Sequence, residues 1–185
     1  MARRTPRNSA PPDSAGVPAL LWAPWRSAYV THKPHGVTRC IFCFGRLGAV
    51  ERRRRLVLYA GPLALVMLNR YPYNNGHLMV APRRHVASLE LLTREELIEL
   101  STIVANSVQR LRTAYAPAGL NVGLNLGRAA GAGIADHMHW HLVPRWEGDT
   151  NFMPVIASTR VLPQSLSETC AMLEPHFKSI DTALS

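Results

Sequence analysis

His137-Met138-His139-Trp140-His141-Leu142-Val143 decides the reading of this chain: three histidines alternate with large apolar residues, and two apolar residues close the run. Successive side chains of a β-strand point to opposite faces. As a strand, the segment therefore carries all three imidazoles on one face and Met138, Trp140 and Leu142 on the other. Packing gains nothing from such a row, because imidazoles ~7 Å apart along a strand oppose one another's protonation. Near neutral pH imidazole serves as nucleophile, proton carrier or metal ligand, so the row points to chemistry at a phosphate, an ester or a metal. Two histidines at i and i+2 also suit one shared cation, so a catalytic and a metal reading stand side by side.

Immediately upstream, Asn125-Leu126-Gly127-Arg128-Ala129-Ala130-Gly131-Ala132-Gly133 places three glycines between two apolar segments. Small residues let backbone N–H groups approach an anion, so the loop suits phosphate oxygens as well as a plain hairpin connection. Asn125 is neutral and both donates and accepts, which fits it to orient a phosphate or to cap a turn.

Apolar runs bounded by breakers predict strands at Leu56 to Tyr59, Ala64 to Leu68, His77 to Ala81 and Leu120 to Leu126. The turn-forming stretch 69–76 makes the second and third antiparallel neighbours and offers a loop long enough to carry a ligand. Thr93-Arg94-Glu95-Glu96 fits a capping box, and Leu97, Leu100, Val104, Val108, Leu111 and Tyr115 follow at helical spacing until Pro117 and Gly119 stop them. Leu162, Leu166, Cys170, Leu173 and Phe177 predict a second helix from Val161 to about Ser179, with Pro163 in its first turn. The connections are too short for parallel crossovers, so the expected class is α+β: an antiparallel sheet of about five strands with one central helix and a C-terminal helix. Residues 1–19 form an expected Pro-rich basic tail without fixed structure, and 20–185 a single domain.

The 185 residues are 47% hydrophobic, enough for one substantial core. No window nears 18 consecutive apolar residues, and Met1-Ala2-Arg3-Arg4 leads into polar sequence, so a membrane-spanning helix and a secretory leader are not expected. Three cysteines, with one close pair, fit a reducing cytoplasm better than a disulfide scaffold. The net charge of +9, from 21 Lys plus Arg against 12 Asp plus Glu, invites a nucleic-acid partner. Its distribution argues otherwise. Arg3, Arg4 and Arg7 fall in the tail, and Arg52 to Arg55 read as a solvated turn before a strand; steering of a polyphosphate substrate also suits the charge. Cys40-Ile41-Phe42-Cys43 has the spacing with which two thiolates bind one zinc, and equally suits two cysteines packed in an apolar turn.

The histidine run, preceded by Asn-x-Gly and a Gly-rich loop, resembles the histidine triad superfamily of nucleotide hydrolases and transferases. The stretches 68–82, 121–127 and 144–152, and the opening Leu21-Trp22-Ala23-Pro24-Trp25-Arg26, are similar to its bacterial branch of diadenosine tetraphosphate phosphorylases and hydrolases. The likeness spans about residues 21 to 178. It implies that His139 attacks the α-phosphorus of a nucleotide, and that the nucleotidyl-histidine formed is resolved by water or inorganic phosphate. It further implies that His141 and Asn125 hold the α-phosphate, aided by N–H groups of the loop carrying Gly127, Gly131 and Gly133; that Asn69 binds the ribose; and that His77 supports the site. Through similar CxxC segments, it implies a structural zinc on Cys40, Cys43, His85 and His137, with His32 and His35 as weaker alternatives. It also implies a homodimer. Gly133 departs from the family, whose members carry Ser or Gln at that position, and this leaves the acceptor and the substrate open. Another nucleotidyl conjugate as substrate, or a zinc-stabilised nucleotide-binding module without activity, are the competing readings. Trp146 and Phe152 suit core, base stacking or a dimer contact.

Overall fold

The computed structural model describes residues 40–149 and 162–178. The tail 1–19, the Leu21–Arg26 motif, His32, His35 and Phe152 lie outside the described residues. Five strands form one antiparallel sheet: β1 (Val57–Ala60), β2 (Ala64–Leu68), β3 (Leu78–Pro82), β4 (Gly119–Leu124) and β5 (Trp140–Arg145), in the spatial order β1-β2-β3-β5-β4. The order places β5, which carries His141, between β3 and the edge strand β4. Among the described residues no helix is long and apolar enough to cross a membrane.

The alternation of each strand sorts its residues onto two covered faces. Leu58, Val66, Leu68, Leu78, Val80 and Leu142 pack against the long helix α2 (Arg94–Tyr115) and the C-terminal α3 (Leu166–Leu173). Val57, Leu65, Met67, Met79 and Ala81 point the other way and enclose Phe42 of the cysteine segment. β2 and β3 are buried along their whole length, which explains their unbroken apolar runs. Helix α2 begins with the expected capping box: Thr93 accepts from the Glu96 N–H at 3.2 Å, and Glu96 accepts from the Thr93 N–H at 2.9 Å. It ends at Ala116, which takes a left-handed conformation.

Four expectations are corrected. Most of the Arg52–Arg55 run is not a turn: Ala49–Arg54 forms a short helix, α1, with Arg55 turning off its end, and Glu51 bridges to Arg54 at 2.8 Å and Arg55 at 2.7 Å, the one-turn spacing that supports a helix. The C-terminal helix starts at Leu166 rather than Val161, because a capping box of Ser165 and Glu168 sets its first turn and leaves Pro163 outside it. Past Leu173 a 3-10 turn over Glu174–Phe177 replaces the helix, at the point where Pro175 removes a backbone donor. Finally, β4 stops at Leu124, and β5 begins only at Trp140. His137 and His139 thus precede the ladder, whereas the row was expected to lie wholly in a strand. Here the Met138 N–H bonds to the Val86 carbonyl at 2.8 Å instead of to a neighbouring strand.

Candidate active site and metal centre

His141 lies on the sheet face that carries Met79, opposite Met79 on one side and Gly123 on the other. A side-chain carbon at Gly123 would meet no atom within 4 Å, so the position paired with His141 across the strands is open. Glycine in the middle of an edge strand is the sequence signal for such an approach, and the strand reading passed over it. The ring centres of His139 and His141 are 4.8 Å apart, and that of Phe42 lies 4.9 Å from His139 and 5.0 Å from His137. The three histidines therefore share one side of the sheet although only one is in a strand.

Hydrogen bonds fix which nitrogen of each ring carries its proton. The Tyr73 N–H donates to His77 Nδ1 at 3.0 Å, so His77 bears its proton on Nε2 and donates it to His141 Nδ1 at 2.9 Å. His141 then carries its own proton on Nε2, aimed away from His77. His139 Nδ1 lies 2.9 Å from the His137 carbonyl, which only accepts, so the proton sits on Nδ1 and Nε2 keeps its lone pair. Burial holds both rings neutral. The His77 imidazole is fully buried and, with the nearby His141 and His139 rings opposing a further charge, its pKa falls to about 3. Burial also lowers that of His139, against the hydrogen bond to His137 that raises it. The site thus pairs a neutral nitrogen lone pair on His139 with an N–H donor on His141.

Asn69, at the end of β2, accepts from the Tyr71 N–H at 2.9 Å and brings its Nδ2 within 3.5 Å of His77 Nδ1. Asn125 follows β4 directly and is half-buried. Gly127 and Gly131 take left-handed conformations, with φ of +79° and +89°, so their glycines are required by the backbone. The Gly131 N–H is bonded to the Arg128 carbonyl at 2.9 Å and the Ala132 N–H to the Gly127 carbonyl at 3.3 Å. Those two N–H groups are committed within the loop, which narrows the expected phosphate cradle to the remaining ones. Gly133 is exposed. Trp146 meets the Tyr115 ring edge-on at 6.1 Å, a packing contact with the end of α2.

Beside this site Cys40, Cys43, His85 and His137 bring one ligand atom each to within 4.8 Å of one another. His137 Nδ1 lies 3.3 Å from Cys40 Sγ, 3.5 Å from Cys43 Sγ and 3.3 Å from His85 Nδ1, and Cys43 Sγ lies 3.2 Å from His85 Nδ1. Zinc bonds of ~2.0–2.1 Å to nitrogen and ~2.3 Å to sulfur set tetrahedral ligand spacings of roughly 3.3–3.8 Å, so the donor set and its size suit zinc. The tautomer agrees: His137 Nε2 donates to the Pro82 carbonyl at 2.9 Å, which leaves Nδ1 unprotonated toward the cluster. Four protein ligands leave no open position, the pattern of a structural centre. Spacing alone pointed to the cysteines; the histidines come together through β3 and the β5 approach. Tyr73, which acts through its backbone, and Phe42, between the two clusters, carry no sequence signal beyond turn and core patterns.

Residues 51–148 match the family model described as HIT domain. An AP-4-A phosphorylase of Mycobacterium tuberculosis (strain ATCC 25618 / H37Rv) is 40% identical over 158 residues, 83% of this chain and 81% of that protein. A bis(5'-nucleosyl)-tetraphosphatase [asymmetrical] of Schizosaccharomyces pombe is 33% identical over 93 residues, 50% of this chain and 50% of its own. Among solved structures, a hypothetical histidine triad nucleotide-binding protein from Sulfolobus tokodaii shares the fold with a TM-score of 0.57 at 24% identity, covering 75% of this chain and 92% of that one.

Proposed function

The chain belongs to the HIT domain family, and on that premise we propose that it is a nucleotidyl-transfer enzyme that cleaves a dinucleoside polyphosphate such as diadenosine tetraphosphate through a nucleotidyl-histidine on His139. The observation that carries this reading is the hydrogen bond from His139 Nδ1 to the His137 carbonyl, which leaves Nε2 as a neutral nucleophile. Nε2 attacks the α-phosphorus; a nitrogen–phosphorus bond forms, the bridging phosphorus–oxygen bond breaks, and ATP leaves. The positive charge gained by the ring is shared through Nδ1–H with the His137 carbonyl. His141, held by His77, directs its Nε2–H at the phosphate oxygens, and half-buried Asn125 offers a further donor. Asn69 takes the ribose, and the loop of Gly127, Gly131 and Gly133 borders the phosphates. The second step returns Nε2 to its lone pair: inorganic phosphate as acceptor yields ADP, and water yields AMP.

Cys40, Cys43, His85 and His137 would hold a zinc ion, which when bound would supply a fixed cross-link between the cysteine segment and the approach to β5. The AP-4-A phosphorylase relative supports phosphate as the acceptor, and the tetraphosphatase relative supports water. Exposed Gly133 brings no side chain to the phosphates, and a substrate panel including other nucleotidyl conjugates tests that alternative.

Incubation with diadenosine tetraphosphate, with and without phosphate, decides the acceptor by whether ADP or AMP accompanies ATP. His139→Ala should lower kcat by at least about a thousandfold, since removal of a nucleophile reaches on the order of a millionfold elsewhere. Turnover of the variant at the wild-type rate overturns the mechanism. Sedimentation of the full chain tests the accompanying homodimer.

A further inference from the structure

The two residues before His85 reach in opposite directions. Arg83 donates from Nη2 to the Phe44 carbonyl at 2.9 Å and holds its guanidinium 4.9 Å from the Phe44 ring centre. Phe44 follows Cys43, so this arm ties the end of β3 to the cysteine segment. Arg84 instead donates from Nε at 2.8 Å and Nη2 at 2.7 Å to the two oxygens of Glu96, and from Nη2 to the Leu91 carbonyl at 2.6 Å. The Glu96 side chain is only 6% exposed and is held in turn by the capping box at the start of α2. One residue past His85, the Val86 carbonyl accepts from the Met138 N–H at 2.8 Å, next to His137.

His85 itself is exposed, and its ring meets the buried His137 edge-on at 5.0 Å, a contact that does not enclose it. Its place beside the two thiols comes from the backbone on which it stands, and that backbone is gripped on both sides. We infer that Arg83 and Arg84 form a two-armed clamp that presets His85 and the cysteine segment as metal ligands, with Glu96 as its buried anchor. All three are positioning residues. The inference rests on the zinc reading above and deepens it: a ligand that must be ordered when the ion arrives binds it more weakly than one already in place. Partners of metal ligands typically contribute 10- to 100-fold in affinity. Arginine is required at position 84 because its planar fork meets both carboxylate oxygens at once, which a lysine ammonium does not.

The test uses the full-length chain, stripped of metal and titrated with zinc against a chromogenic chelator. Arg84→Lys and Glu96→Gln should each raise the zinc Kd about tenfold or more, and Glu96→Gln keeps a side chain able to complete the capping box. With cobalt in place of zinc, both variants should need about tenfold more metal than the wild type to develop the intense visible bands of a four-coordinate site. Thr93→Ala removes the hydroxyl that caps the Glu96 N–H but keeps the Thr93 N–H that holds the Glu96 carboxylate, so it weakens the same helix start and should leave the zinc Kd unchanged. Wild-type zinc affinity in Arg84→Lys and Glu96→Gln, or an equal loss in Thr93→Ala, overturns the clamp while leaving the metal site standing. A wild-type chain that takes up no zinc overturns the metal reading and the clamp with it.

Discussion

Lowering the pH should destabilise the fold through His77, and the size of the effect follows from its burial. The ring is fully enclosed, accepts from the Tyr73 N–H and donates to His141, and is held neutral with a pKa of about 3. In the unfolded chain a histidine titrates near 6.5. Between those two values the unfolded state takes up a proton that the folded state refuses. The unfolded state then binds more protons, so stability rises with pH across that window and is lost as pH falls below about 6.5. At pH 5 the loss from this one group is roughly 1.5 pKa units at 1.36 kcal/mol each, about 2 kcal/mol, and across the whole window it approaches roughly 5 kcal/mol. Against a domain stability of about 5–15 kcal/mol that is a large fraction. Urea unfolding at pH 8 and pH 5 reads it: with an m-value of about 2 kcal/mol per M, His77 lowers the midpoint by about 1 M. Other groups contribute to acid sensitivity, among them His137 and His139, whose buried imidazoles are also held below the ordinary histidine value, so the decisive quantity is the difference between wild type and His77→Gln, a neutral residue with no titration. The variant should lose about 1 M less between the two pH values. Equal losses in both proteins refute the assignment of His77 as a buried neutral link.

Three further outcomes follow from the same geometry. Gly76→Ala puts a side-chain carbon 2.9 Å from the Tyr115 ring at a backbone φ of +71°, and should cost about 1–3 kcal/mol in a thermal melt; an unchanged Tm would refute the clash. Removal of zinc with a chelator should lower Tm and restore it on adding zinc back, whereas a Tm indifferent to the chelator argues against a structural ion. Asp149 accepts from Asn74 at 2.8 Å and from Arg145 at 2.7 Å, tying the loop that carries Tyr73 to the end of β5. Asp149→Asn should therefore lower kcat on diadenosine tetraphosphate about tenfold through a loosened His77, with KM little altered, and steady-state kinetics check it.

What was legible depended on how local its cause is. The capping box of Thr93 and Glu96, the apolar runs of β2 and β3 and the pairing across the 69–76 turn are decided by residues a few positions apart, and the structure has them where the pattern puts them. The extent of β5 was not legible, because alternation is a property of one segment and a ladder needs a neighbour. At Met138 the neighbour is the Val86 carbonyl, which no periodicity indicates. Helix α1 was missed for a related reason: four consecutive arginines read as solvent-exposed chain until Glu51 is seen to bridge to two of them one turn away. The two cysteines have a metal-compatible spacing, while His85 lies 42 positions from Cys43 and enters the cluster only through the turn after β3.

The proton positions lie further still from sequence, and they separate the three histidines. His137 uses its Nε2–H on the Pro82 carbonyl, its Nδ1 on the metal cluster and its own carbonyl on the Nδ1–H of His139. One residue therefore stands in both sites. Whatever holds its ring also holds the carbonyl that keeps the lone pair of His139 on Nε2. Under the proposed function, that coupling joins the metal-ligating cluster to the nucleophile two residues away: a segment without ladder bonds at His137 and His139 has no sheet to orient it. The approach of His137 to the two cysteines, the Val86–Met138 hydrogen bond and the Phe42 ring beside both imidazoles take the sheet's place. The His139 ring is thus held by the cysteine segment on one side and, through Trp140 entering the ladder, by β5 on the other.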